Sequence, residues 1–151
     1  MTGFTIEPAR PLDAASCATI LMGWVQENAW MPKLWTLPQA EAFLAGLITR
    51  GSVTALRDEA GQIAGFLDLH DGWINCLYLA PQARGQGQGK TLIAHAARLH
   101  PPGLHLWCFA ENQAAVRFYT HAGFREVART EGDNDEGLPD IQFYRPGREE
   151  I

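Results

Sequence analysis

The sequence predicts an α/β (α+β) fold built on one mixed sheet, and three observations carry that expectation. A chain of 151 residues, 46% apolar and 19% charged, can bury one hydrophobic core without a partner. Its apolar periodicity alternates between strand and helix spacing in the order β α α β β β α β α β β. The middle of that order is an antiparallel meander and its end is β-α-β-α-β, which together require a sheet with both antiparallel and parallel neighbours. No repeat, low-complexity tract or linker divides the chain, so a single domain over 1–151 is expected.

Each element has its own signal. Phe4–Glu7 reads as a strand closed by Pro8. From Leu12 to Asn28, the residues Ile20, Leu21, Trp24 and Val25 recur at helical spacing. A second helix starts at Leu37-Pro38, because proline suits a first helical turn, and is expected to bury Phe43, Leu44, Leu47 and Ile48. Ser52–Arg57 and Gln62–His70 are strand-like runs joined by Asp58-Glu59-Ala60-Gly61, a hairpin signal. Asp71-Gly72 turns the chain into a third strand, Trp73–Leu79, which ends at Pro81. Thr91–Leu99 reads as a helix stopped by Pro101-Pro102, and Leu104–Phe109 as a short buried strand. Asn112–Ala122 is a helix with Gly123 in the capping position, and Phe124–Thr130 and Ile141–Arg145 are closing strands.

Charge and cysteine content narrow the function classes. The chain has 12 Lys and Arg against 17 Asp and Glu, net −5, with no basic cluster, which argues against duplex nucleic acid or anionic lipid as a partner. No apolar run approaches the ~20 residues of a membrane span, and Met1-Thr2-Gly3-Phe4 lacks signal-peptide character. Cys17, Cys76 and Cys108 are odd in number and widely spaced, and the five histidines show no metal spacing. A reducing, cytoplasmic setting without a metal is therefore expected.

The most informative stretch is Leu77-Tyr78-Leu79-Ala80-Pro81-Gln82-Ala83-Arg84-Gly85-Gln86-Gly87-Gln88-Gly89-Lys90-Thr91. Alternate glycines between a strand and a helix let backbone N–H groups approach an anion at a positive helix end, which suits a pyrophosphate. A GxxxxGK[ST] loop would need glycine at position 84, which is Arg84, and a GxGxxG fingerprint would need it at position 90, which is Lys90. The spacing that fits is Arg84-x-x-Gly87-x-Gly89. It resembles the acyl-CoA pyrophosphate loop of the GCN5-related N-acetyltransferases. Downstream, Asn112-x-x-Ala115-x-x-Phe118-Tyr119-x-x-x-Gly123-Phe124 is similar to that family's second cofactor segment. The element order matches its fold, with close resemblance from about Gln62 to Phe124.

That resemblance implies one acyl-CoA N-acyltransferase domain with a mostly antiparallel sheet, helices on both faces, and acetyl-CoA as co-substrate. It implies that backbone groups of Leu77 and Leu79 pair with the pantetheine arm, and that an N–H at Leu77 or Tyr78 polarises the thioester carbonyl. Main-chain N–H groups of Arg84, Gly85, Gln86, Gly87, Gln88, Gly89 and Lys90 would cradle the pyrophosphate, with Lys90 adding charge. Asn112 would bind on the pantetheine side, and Tyr119 would protonate the departing thiolate as general acid. Trp73–Leu79 carries no carboxylate, so Asp71, Asn75, Glu111 and a water relay all stay open as the base.

On the acceptor side, Trp30 and Trp35 flank Pro32, and Glu131–Asp140 holds five carboxylates without a cation. An aromatic wall with Glu136 and Asp140 opposite suits a small cationic amine. The expected reaction is acetyl transfer to a primary amine of a small-molecule acceptor by direct attack in a ternary complex, in a monomer or homodimer. A protein N-terminus or lysine as acceptor, another acyl group, and a non-catalytic acyl-CoA sensor stay open beside it.

Overall fold

A computed structural model describes residues 3–147. The strands are β1 (Thr5–Pro8), β2 (Val53–Arg57), β3 (Ile63–His70), β4 (Trp73–Leu79), β5 (Gly103–Phe109), β6 (Arg125–Arg129) and β7 (Asp140–Pro146). The helices are α1 (Ala14–Glu27), α2 (Leu37–Arg50), α3 (Gln88–Leu99) and α4 (Gln113–His121), with short 3-10 turns at Pro11–Asp13 and Pro81–Ala83. The seven strands are hydrogen-bonded in the order β1-β2-β3-β4-β5-β7-β6. Pairs β1–β2, β2–β3, β5–β7 and β6–β7 are antiparallel and β4–β5 is parallel, as the predicted element order requires.

The chain clusters into two compact units, one running through Leu69 together with Cys76–Gly89, the other comprising His70–Asn75 and the chain from Lys90 onward. In the first, Ala14, Cys17 and Ala18 of α1 and Ala40, Leu44 and Ile48 of α2 are buried with Val53, Phe66 and Cys76 of the strands. Those helical positions recur at three- and four-residue intervals, so each helix turns one stripe inward. Phe43 lies off that stripe and is 49% exposed, contrary to the expectation that it is buried. A capping box starts α2: Thr36 Oγ1 accepts from the Gln39 N–H at 3.3 Å, while Gln39 Oε1 accepts from the Thr36 N–H at 2.8 Å. In the second unit, Leu104, Leu106 and Cys108 alternate along β5 and are buried, as are Ile141 and Phe143 of β7 and Leu92, Ile93 and Ala96 of α3.

Two helix starts differ from the sequence reading. The first helix opens as a 3-10 turn and becomes α-helical only at Ala14. The third begins at Gln88 rather than Thr91, because Gln88-Gly89-Lys90 offers no apolar side chain for periodicity to register, although Gln88 and Gly89 are buried.

A buried ionic cluster ties the first unit together. Arg57 of β2 donates to both Asp13 oxygens, at 3.1 and 2.6 Å, and its Nε donates to Glu7 of β1. The Arg10 N–H adds a bond to Asp13 Oδ2 at 2.7 Å. Burial pushes the Asp13 carboxyl up, but the Arg57 and Arg10 hydrogen bonds outweigh it and hold the group below its ordinary 3.8. This stabilisation is fully present above 3.8 and is lost as pH falls through the lower folded value.

Arg57→Met strands the Asp13 carboxylate among apolar neighbours, and urea unfolding at pH 7 should show a loss of about 3–5 kcal/mol. Adding Asp13→Asn should recover part of it, since the uncompensated charge is then gone.

Candidate functional site

β4 leads into the glycine loop through an anchored corner. The Ala80 N–H donates to Ala64 O at 2.8 Å, and the Ala83 N–H donates to Ala80 O at 2.9 Å to close the 3-10 turn. The Arg84 side chain then folds back. Its Nη1 and Nη2 donate to the two Glu27 oxygens at 2.7 and 3.1 Å, and its Nε donates to Leu79 O at 3.1 Å. Hydrogen bonding from Arg84 holds the Glu27 carboxyl below the ordinary carboxylate range. Arg84 thus ties the end of β4 to the last turn of α1. Glu27 has no signal in the sequence, because 57 positions separate the two residues.

Beyond Arg84 the backbone turns on glycine. Gly85 and Gly87 have φ of +74° and +79°, and no atom lies within 4 Å of where their Cβ would stand. The left-handed backbone, not crowding, is what requires glycine there. Gln88, Gly89 and Lys90 form the first turn of α3, and the opening N–H groups of a helix have no carbonyl partner inside it. Their partial positive charge adds to the helix dipole, so this turn can hold a phosphate group.

Leu77, Tyr78 and Leu79 are half-buried on β4. The Tyr78 ring lies 5.3 Å from Trp24 and 5.7 Å from Phe66, and Trp24 meets Trp30 edge-on at 5.7 Å. Four rings thus run from the loop after α1 to the strands. Trp30 belongs to this chain, whereas Trp35 is 50% exposed on the protein surface.

In the second unit, α4 is capped by Asn112, whose Oδ1 accepts from the Ala115 N–H at 3.2 Å. The half-buried Tyr119 ring packs at 5.1 Å from Phe118, 5.4 Å from Phe124 and 6.3 Å from Phe143. The acidic loop is internally bonded: Asn134 Nδ2 donates to Leu138 O at 2.7 Å and to Asp140 Oδ2 at 3.2 Å. The Thr130 hydroxyl donates to the other Asp140 oxygen. Asp140 therefore anchors the loop, while Glu136 is half-buried and makes no hydrogen bond or ion pair among the described residues. Of the candidate bases, Asp71, Asn75 and Glu111 are all exposed.

All three cysteines are buried and free. Burial pushes each thiol up to about 12, reinforced by Asp13 at Cys17, Asp68 at Cys76 and Asp140 at Cys108. None is ionised near neutral pH, so none serves as a nucleophile. Among the described residues no group of three His, Cys, Asp or Glu side chains is placed to hold a metal ion, and no helix is long and apolar enough to cross a membrane.

Residues 49–126 match the family model for the acetyltransferase (GNAT) domain. The chain is 34% identical over 131 residues to the peptidyl-lysine N-acetyltransferase YiaC of Escherichia coli (strain K12), covering 78% of this chain and 83% of that one. It is 41% identical over 75 residues to the peptidyl-lysine N-acetyltransferase YjaB of Salmonella typhimurium, where it spans about half the length of each protein, 50% in both cases. The solution structure of apo-form YjaB from Escherichia coli matches with a TM-score of 0.80 at 22% identity, covering 96% of this chain and 99% of that one. The structure of yncA from Salmonella typhimurium, solved with its cofactor acetyl-CoA, matches at 0.73 with 19% identity, covering 98% and 96%. At these identities the structural likeness shows the fold.

A thiol-specific reagent at pH 8 should titrate none of Cys17, Cys76 and Cys108 in the folded protein and all three in denaturant. Rapid labelling of any one without unfolding would contradict its burial.

Proposed function

The chain belongs to the GNAT acetyltransferase family, and on that premise we propose that it moves an acetyl group from acetyl-CoA to a cationic primary amine, within one domain over 1–151. The observation that carries this reading is the left-handed pair Gly85 and Gly87 directly before the first turn of α3. Backbone N–H groups from Gly85 to Lys90 hold the pyrophosphate, and Leu77 and Tyr78 offer main-chain groups to the pantetheine arm and the thioester carbonyl. The Leu79 carbonyl already accepts from Arg84. Asn112 serves the pantetheine side through the amide nitrogen its cap leaves available.

The reaction exchanges one bond for another. The amine nitrogen bonds to the acyl carbon as the carbon–sulfur bond breaks. The Tyr119 hydroxyl gives its proton to the sulfur, and the proton shed by the amine leaves through water, with Asp71, Asn75 or Glu111 as relay. The three phenylalanines around the Tyr119 ring fix its direction.

A lysine side chain in a peptide is the acceptor we favour, since YiaC, matched over 83% of its length, is a peptidyl-lysine N-acetyltransferase. A small cationic amine is the second reading, supported by Glu136 and the exposed Trp35. Free-thiol release from acetyl-CoA, measured with lysine peptides beside small amines, decides between them. CoA binding with no release on any amine would mean an acyl-CoA sensor instead.

Gly87→Val places a β-branched residue at φ +79° and should weaken CoA binding at least tenfold in a protein that still melts cooperatively. Tyr119→Phe keeps the ring contacts and removes only the hydroxyl. Turnover should fall by ~10²–10⁴-fold with CoA affinity little changed. For the wild type, turnover should climb with pH toward the ~10.4 of a lysine amine, because only the neutral amine attacks.

A further inference from the structure

The second unit holds a groove of about 240 Å³ lined by Lys90 and Ile93 and Ala94 of α3, His121 and Ala122 at the end of α4, and Arg145 of β7. Every ionisable side chain lining it is basic and none is a carboxylate. That is unusual in a chain of net charge −5. Arg10, Arg50, Arg57, Arg84 and Arg129 are each paired with a carboxylate. Among the described residues, Lys90 and Arg145 carry no ion pair, which is also true of Lys33, Arg98, Arg117 and Arg125, and these two are the ones that line a single groove. Arg145 is nevertheless held in place, its Nε donating to Ala122 O at 3.0 Å, which leaves both terminal nitrogens for a ligand. Buried Ile93 gives the groove an apolar floor, which strengthens the field of the cations above it.

We propose that this groove binds a phosphate monoester. On the reading of the chain as an acetyl-CoA transferase, that ester is the 3′-phosphate of the CoA nucleotide, and free phosphate is the other source of the same chemistry. The volume suits one charged group better than a whole nucleotide, which needs several hundred Å³. The anchored Arg145, the Lys90 ammonium and the His121 ring match a compact dianion, and a guanidinium offers it paired donors. Lys90 directly follows Gly89, so one helical turn presents backbone N–H groups to the pyrophosphate and a side chain to the ester.

The test compares CoA with 3′-dephospho-CoA by calorimetry on the wild type, Lys90→Met and Arg145→Lys, each checked by thermal melting. CoA should bind the wild type roughly tenfold or more tightly than the dephospho form, and Lys90→Met should erase the difference by weakening CoA alone. Arg145→Lys keeps the charge, loses the fork, and should narrow the gap. Inorganic phosphate is also titrated into protein saturated with 3′-dephospho-CoA and followed by NMR at His121. Equal affinities for the two cofactors with saturable phosphate shifts, lost in Lys90→Met, assign the groove to free phosphate. Equal affinities with no such shifts overturn the site, as does an equal loss of both cofactors in Lys90→Met, which would put Lys90 on the pyrophosphate. If the wild type binds neither cofactor, the acetyl-CoA reading fails, and the phosphate titration without cofactor alone decides the groove.

Discussion

An α-helix cannot satisfy the N–H groups of its own first turn, and the placement of that turn in α3 is the constraint on which the rest of this structure depends. Gln88 and Gly89 of that turn are buried and Lys90 is exposed, and two glycines in the left-handed region precede it, bringing the backbone round without side chains in the way. Arg84 fixes where the loop starts by bonding Glu27 and Leu79 O together. Exposed ion pairs of this kind contribute only ~0–1 kcal/mol to stability, so the value of the pair is positional.

Cations in this chain fall into two kinds. Arg57 and Asp13 are both nearly buried, and removing either partner is costly because the other keeps its desolvation penalty. Arg50 likewise reaches the fully buried Asp68, which also accepts from Ser52. These pairs hold β1, β2, β3 and their helices in register, and their charges are spent on one another. Lys90 and Arg145 keep theirs, as do Lys33, Arg98, Arg117 and Arg125 among the described residues. What sets Lys90 and Arg145 apart is that both line one groove that no carboxylate enters.

The fold was legible because apolar periodicity and turn chemistry are local. Element order, the β4 boundaries and the α2 start at Leu37-Pro38 all follow from residues within a turn of each other. The first turn of α3 escaped because periodicity registers apolar side chains and Gln88, though buried, is polar, and Phe43 was misplaced because one helical step separates a buried stripe from an exposed one. At the site, the glycines and the Tyr119 motif were readable as spacing. Glu27 and Arg145 were not, since each acquires its role from a contact distant in sequence: Arg84 for one, Ala122 for the other. Asp140 reads as one carboxylate among five, and only the folded loop shows Thr130 and Asn134 bonded to it.

The aromatic residues sort by the same logic. Trp30 sits in a loop yet is not loose, because edge-on contact with Trp24 joins it to Tyr78 and Phe66. Such ring pairs contribute ~0.5–1.5 kcal/mol each beyond their buried area, and they add to the turn bond from the Met31 N–H to Asn28 O at 2.9 Å. The series of rings passes through Tyr78, whose backbone lies in the strand leading to Arg84, and reaches Phe66. Trp30 therefore touches that strand through the Trp24 ring, while Trp35 is exposed and has no ring contact with the series. The two tryptophans, five residues apart with Pro32 between them, thus differ in setting: Trp30 is packed against Trp24 and Trp35 is exposed.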